Sequence, residues 1–439
     1  MKGKKLWFSM LLVGMSLGTA WAIRGQFGHE QGAAWAGAIG SLSILLVAKR
    51  KDWLSKAFSV ALAGGIGWGL GGMMSYGMVV GYGRATDFIN VYYGLLMLFV
   101  IGGLYGFIGG GFFGFALLNS KKTKVNWSRL IVEMVVSGLV FYFFMIEQLG
   151  WNMTPPRAEH WAICFGLGVA LTAHLIRNKQ YAPLRVAVFA GLGGGFGFAF
   201  GNFLHVLGRV SEIDFNFWNV MEYSLGFFGG LGMAYGAFTA TWEANEEEES
   251  GNTELLSLLG VSLLIPFIVW QQSFTSDRIS SMLEKVNFSN LSLGVNITLW
   301  FSLVLILAFS VLSYRRIKAL NTGKFPYLEI KVFFVGIFAI YIIFSWLITG
   351  AFLSTYRIEQ YLYLVNFIVI VLLINRAEVS FDNSHSTSHS IINVKSWLWG
   401  FVGVVILIAL FAVVAINTHG EMDHSQKRFG VEERAVKSE

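Results

Sequence analysis

About thirteen stretches of this chain are apolar for long enough, or nearly so, to cross the ~30 Å hydrocarbon core of a bilayer. They centre near Leu12, Ala38, Gly69, Gly103, Leu139, Leu167, Gly195, Gly229, Leu263, Leu303, Ile340, Phe367 and Leu407. The fold class expected from them is an all-α polytopic membrane protein of about 13 transmembrane helices. Charge agrees: 13% of residues are charged, against about 25% in soluble domains, and the mean hydropathy is +0.60. Cys164 is the only cysteine, so no internal disulfide supports the fold.

The first half is written twice. Ala63-Gly64-Gly65-Ile66-Gly67-Trp68-Gly69-Leu70-Gly71 returns as Gly191-Leu192-Gly193-Gly194-Gly195-Phe196-Gly197-Phe198-Ala199. Gly83-Arg84 with Asp87 returns as Gly208-Arg209 with Glu212, and Gly102-Gly103-Leu104 as Gly229-Gly230-Leu231. An offset that stays near ~127 positions marks a duplicated unit. The expected plan is two parallel Gly-rich four-helix repeats, residues 1–118 and 119–242, related by an axis along the membrane normal. An acidic cytoplasmic linker at 243–253 follows, then a C-terminal bundle of about five spans at 254–418 and a disordered external tail at 419–439.

Basic residues orient the chain. Loops on the side of Lys2, Lys4 and Lys5 carry roughly 21 of the 32 Lys and Arg and the opposite loops roughly 7. The positive-inside rule then predicts a cytoplasmic N-terminus and an external C-terminus in a cell inner membrane. The net charge of +6 is the sum of these loops and not a nucleic-acid surface. Met1–Ala22 resembles a signal peptide ending at Ala20-Trp21-Ala22. Retention is expected, because Leu149-Gly150-Trp151 and Arg157 repeat the pattern of Leu17-Gly18, Trp21 and Arg24.

Gly102, Gly106, Gly110 and Gly114 fall every four residues, as do Ala63, Gly67, Gly71 and Ser75, and Ala187, Gly191, Gly195 and Ala199. Small residues so spaced let helix backbones approach closely. The Gly-x-Gly-x-x-Gly strings at Gly67 and Gly109 lie inside apolar spans with no preceding strand, so they are not dinucleotide fingerprints. His29-Glu30 begins like a zinc-protease motif but has Ala33 where the second His is needed. No metal ligand set and no cofactor is expected.

The four outward loops of the duplicated half each hold one Arg and at least one carboxylate. They contain Arg24, His29 and Glu30; Arg84 and Asp87; Arg157, Glu159 and His160; and Arg209 and Glu212, with Asp214 beside them. Guanidinium binds carboxylate, sulfate or phosphate through two parallel hydrogen bonds. These residues, with Trp21, Trp151 and Asn202, are the expected solute-binding set; the plainer alternative is that each Arg pairs with its own loop carboxylate. Aromatic rings beside them would also suit a sugar-like solute. Expected proton-coupling groups are His29, His160 and His205 with the intramembrane Glu147 and Glu222. Glu133 and His174 lie near the cytoplasmic ends and read as snorkelling residues.

Three functions fit. The first is a transporter of a small polar or anionic solute, proton-coupled, with an outward-facing site between the repeats. The second is a membrane-embedded transferase or hydrolase using the same His, Arg and Glu residues. The third is a non-catalytic subunit of a larger complex. Topology is directly testable: with Cys164 removed, cysteines at Ser120 and Ser384 should resist an impermeant thiol reagent in intact cells while one at Ser425 labels. Labelling at Ser120 but not at Ser425 would invert the orientation.

Overall fold

The structure, a computed structural model, describes residues 2–120, 123–155, 159–243, 251–320, 325–377, 379 and 394–430. They are helical throughout, with no strand among them. The first half contains α1 Lys2–Arg24, α2 His29–Ala48, the single turn α3 Lys51–Leu54, α4 Ala57–Gly71, the short α5 Gly77–Tyr82 and α6 Phe88–Leu118. It continues with α7 Trp127–Tyr142, prolonged by a π turn at Phe143–Gln148, then α8 Trp161–Arg177, α9 Tyr181–Val210 and α10 Phe217–Thr239. The second half has α11 Asn252–Leu259 and α12 Ile265–Ser273 joined by a π segment, α13 Ser276–Lys285, α14 Leu291–Ala319, α15 Tyr327–Thr349, α16 Glu359–Leu373 and α17 Val394–Ile416.

Ten helical stretches are long and apolar enough to cross a membrane. Every centre expected from the sequence falls inside a helix. α4 and α8, of 15 and 17 residues, are apolar but shorter, and α10 is not among the ten.

Six helices close a ring. α6 packs along α9, α9 along α10, α10 along α1, α1 along α2, α2 along α4, and α4 back on α6. Glycine makes the closure possible. A methyl on Gly106 of α6 would collide with the Ala190 backbone of α9, and one on Gly195 would lie 2.6 Å from the Phe99 carbonyl oxygen. Such contact replaces the hydrophobic effect, which lipid does not supply between helices. Trp68 of α4 fills the ring's centre at 0% exposure. Its indole lies where methyls on Gly37 of α2, Gly109 of α6 and Gly229 of α10 would approach within 2.7, 2.5 and 2.9 Å.

Three features depart from the expected plan. The two stretches expected to be copies are packed differently: α1 and α2 are ring members, whereas α7 and α8 pair with each other outside it. The α2 span is 89% buried and the α7 span 28%. Helices of similar composition can be enclosed or peripheral, and their neighbours decide which. Second, α17 leaves the C-terminal helices and lies on α6 and α9, where Ile408, Ala412 and Ala415 bury against Val91, Leu95, Ala199 and Val206. Third, residues His419–Gly430, part of the tail expected to be disordered, are held against the first half. Asn90 Oδ1 accepts from the Arg428 and Phe429 amides at 2.6 and 2.9 Å, and the Gln426 amide donates to the Gly81 carbonyl at 3.0 Å. These hydrogen bonds offset the ordering entropy that its polar composition alone would not repay.

α15 and α16 brace the ring from the α1 and α2 side. Trp35 stacks on Tyr341 at 4.5 Å, and the Tyr341 hydroxyl donates to the Gly32 carbonyl at 3.0 Å. Gly106→Ala is expected to lower the melting temperature of the detergent-purified protein, the overpacking costing about 1–3 kcal/mol. Gly103→Ala, whose new methyl would meet only the Gly191 carbonyl at 3.6 Å, should leave it unchanged or raise it. Equal effects would contradict the close α6–α9 contact.

Candidate functional site

Many of the candidate residues gather at one end of the ring, here called the arginine end, in two tiers. The inner tier is built on Arg24, the last residue of α1, which is 2% exposed. Its Nη1 donates to the Tyr76 hydroxyl at 2.8 Å and to Glu222 Oε2 at 3.0 Å. Its Nη2 donates to the Tyr105 hydroxyl at 3.0 Å and meets His29 Nδ1 at 3.3 Å. Tyr76 donates in turn to Glu222 Oε1 at 2.7 Å. Because guanidinium only donates, His29 Nδ1 must be the accepting nitrogen of that contact. The rings of Trp21, Tyr76 and Tyr105 surround the guanidinium at 5.0, 5.6 and 5.7 Å. Below it Trp21 meets Trp68 edge-on at 4.9 Å, so the ring's centre is filled with aromatic side chains beneath this network.

Local chain geometry sets this tier. α4 ends at the Gly71-Gly72 pair, and the turn that follows carries Tyr76 into the ring beside α10. The loop after Arg24 is held by the second half of the chain. Arg278 donates to the Gln26 carbonyl at 2.6 Å, and Arg357 to Gln26 Oε1 at 3.1 Å. Burial and the nearby Arg357 hold the Arg278 pKa below the usual guanidinium value.

The outer tier is a cavity of about 710 Å³ lined by Arg84, His205, Arg209, Trp218, His424 and Gln426, among others. That is the size of a small-molecule site. Asn202, His205 and Arg209 share one face of α9 by their i, i+3, i+7 spacing. Arg84 Nη2 lies 3.4 Å from His205 Nε2, and Nη1 lies 3.5 Å from the Asp423 carbonyl. Among the described residues no carboxylate lies within ion-pair distance of Arg84. Arg209 has only the exposed Asp423, at 3.9 Å. Burial, and then repulsion from Arg209, pull the Arg84 pKa down to about 10. Among the described residues, Arg84 Nε and His205 Nδ1 in the cavity wall, and both side-chain atoms of Asn202 beside Gly83, are buried without a hydrogen-bond partner. Buried polar groups are nearly always satisfied, so such a cluster marks a place for a ligand or water. Trp218 is the partition between tiers: its ring stacks on Tyr76 at 6.3 Å and meets His205 edge-on at 5.7 Å.

The residues expected to line a single cavity are therefore divided. Arg24, His29, Trp21 and Glu222 come together, as do Arg84, His205, Asn202 and Arg209. Others do structural work elsewhere. Asp87 caps α6, accepting from the Asn90 amide at 3.0 Å. Glu159 ties its own loop, accepting from the Met153 and Thr154 amides and the Trp161 indole at 2.7–2.8 Å. His160 Nδ1 lies 3.1 Å from the Met73 carbonyl. Glu147, expected inside the glycine bundle, sits exposed on the π turn of the peripheral α7, and Trp151 is 57% exposed. Glu30 is exposed, and Glu212 lies on an exposed turn with φ of 55°. Arg157 lies outside the described residues. Glu133 binds His174 and Arg177 at 2.8 and 2.6 Å, a clamp between α7 and α8. Tyr76, Tyr105 and Trp218 were not singled out as site residues from sequence. Their signal was two tyrosines near glycine, Tyr76 after α4 and Tyr105 within α6, and a tryptophan beside Asn219 and Glu222.

A family model described as Photosynthesis affected mutant 68 matches residues 182–262, the stretch from α9 through α10 to the start of the second half. No curated protein and no solved structure matches the chain.

The Arg24–Glu222 pair gives a stability test. Arg24→Met alone strands a buried carboxylate and should cost about 3–5 kcal/mol in denaturant unfolding. The double variant Arg24→Met/Glu222→Met should recover much of that loss. Additive losses in the double variant would contradict the pairing.

Proposed function

We propose that the protein is a membrane transporter for a small anionic solute and that the structure is its outward-open form. The observation that carries this reading is the cavity at the arginine end. Two guanidiniums without a buried carboxylate partner, and a set of orphaned polar atoms, stand over a ring centre closed by Trp21, Trp68 and Tyr105. Holding two cations together in a partly desolvated site is costly unless an anion offsets them. Arginine in place of lysine suits planar, bidentate oxyanions. In this proposal the loops rich in lysine face the cytoplasm and the arginine end faces outward, in a cell inner membrane. α4, α8 and α10 complete thirteen crossings, and the duplicated segments are the two halves that move.

The inner tier is then the gate and coupling element. Trp218 separates the solute from Tyr76, and Glu222 is the acidic group within reach of both Tyr76 and Arg24. Proton transfer to Glu222 would release Arg24 and loosen the contact between α1 and α10. His29 connects this pair to the exposed surface.

The test begins with thermal stabilisation of the purified protein by sulfate, phosphate and succinate. A ligand at about 100 times its Kd adds about 2.7 kcal/mol. Arg84→Gln or Arg209→Gln should weaken the stabilising anion roughly ten- to a hundredfold, the value of about 1.5–3 kcal/mol for a lost charge-assisted hydrogen bond. The same anion should accumulate in sealed proteoliposomes, and Glu222→Gln should abolish gradient-driven accumulation while exchange persists. Chemical turnover of the anion in detergent micelles would replace transport with catalysis. Unchanged anion binding in both Arg variants would discard the site.

A further inference from the structure

A second cavity lies toward the opposite, lysine-rich end of the molecule and takes no part in the proposed transport site. It occupies about 650 Å³ between α4, α6 and α7, with α8 and the start of α11 closing it. It exists because α7 pairs with α8 and not with the ring, which leaves a gap beside α4. Its walls are apolar: Leu62, Ile66 and Leu70 of α4, Phe112 of α6, and Ile131 and Val135 of α7. Ile66, Ile131 and Val135 are 45–52% exposed, so the groove opens sideways, where lipid would lie. From Lys56 to Leu70 it follows α4 for about 21 Å, longer than the ~15 Å depth of one leaflet.

The mouth of this groove is charged with both signs. Lys56 is held there by the Leu117 and Asn119 carbonyls, to which its Nζ donates at 2.6 and 2.7 Å. Glu254 of α11 is 6% exposed and accepts from the Phe58 and Ser59 amides through Oε2 at 3.0 and 3.2 Å. Both residues line the cavity, together with Ser55, Ser59 and Asn119. A fixed ammonium and a fixed carboxylate at the polar end of an apolar groove complement a zwitterion that carries an acyl chain. We propose that this groove is a binding site for phosphatidylethanolamine from the adjoining leaflet. One acyl chain lies along α4, the phosphate faces Lys56 and the ethanolamine ammonium donates to Glu254. Choline lipids carry the same charges but no N–H, so they lose the hydrogen bond to Glu254.

The test is native mass spectrometry of the full-length protein titrated with dioleoyl phosphatidylethanolamine or dioleoyl phosphatidylcholine. Wild-type protein should bind the ethanolamine lipid about tenfold more tightly, the discrimination expected for one charge-assisted hydrogen bond. Glu254→Gln keeps an acceptor for the α4 amides and should reduce the preference to about twofold or less. Ile66→Trp fills the groove and should remove the bound lipid, whereas Leu312→Trp, on an exposed apolar position of α14, should not. Equal binding of the two lipids by wild-type protein would overturn the proposal. So would a tenfold preference that survives Glu254→Gln, or full lipid binding by a folded Ile66→Trp variant with wild-type melting temperature.

Discussion

The missing Cβ atoms on α6, α9 and α10 set everything else in this protein. In hydrocarbon, two helices gain nothing by hiding apolar surface from each other, so they associate through contact distance and packing. Glycines facing Ala190, Gly194 and Phe228 let three long helices lie backbone to backbone. The ring that results is narrow enough for one indole, Trp68, to fill its centre. With the centre filled, polar side chains at the arginine end have no room to descend and must satisfy one another there. Arg24, Tyr76, Tyr105 and Glu222 do so through every polar atom but Arg24 Nε, using hydrogen bonds of 2.7–3.0 Å between residues up to 198 positions apart.

The two arginine environments differ in kind. Arg24 has a carboxylate, two hydroxyls and three aromatic faces, so its charge is compensated inside the protein. Arg84 has a histidine, a distant carbonyl and a second arginine as a neighbour. Buried cations left in that condition are costly, and proteins keep them where something else supplies the negative charge. The ordered tail contributes to the same cavity through His424 and Gln426, with Asp423 close to Arg209. The segment that follows α17 is thus part of the wall around the proposed anion.

Much of this was legible in the sequence, and the parts that were not have a common cause. Apolar length located every long helix but not the short α3, α5 and α13, and the four-residue spacing of Gly102, Gly106, Gly110 and Gly114 identified the face that α6 turns to α9, where Gly194, Ala190, Val186 and Pro183 meet it. The expected duplication pointed to Arg24, Arg84 and Arg209 but not to their partners. Arg24 ignores the nearby Glu30 and pairs with Glu222, a choice fixed by α1 packing on α10. Glu147 resembled a member of the inner bundle because α7 has the composition of a span. Which spans are enclosed depends on their neighbours, and the periodicity of one helix does not carry that information. The tail's attachment to Asn90 joins residues 338 and 339 positions apart, and its polar composition gave no hint of it.

The most direct measurement is an anomalous-scattering structure of the protein soaked in selenate, a tetrahedral oxyanion with a strong signal. The expected result is a peak within hydrogen-bonding distance of both Arg84 and Arg209, beside His205 and the face of Trp218, that disappears in Arg84→Gln. A cavity without a peak at saturating selenate, while selenate occupies other surface sites, would contradict the anion-binding role of this end of the molecule.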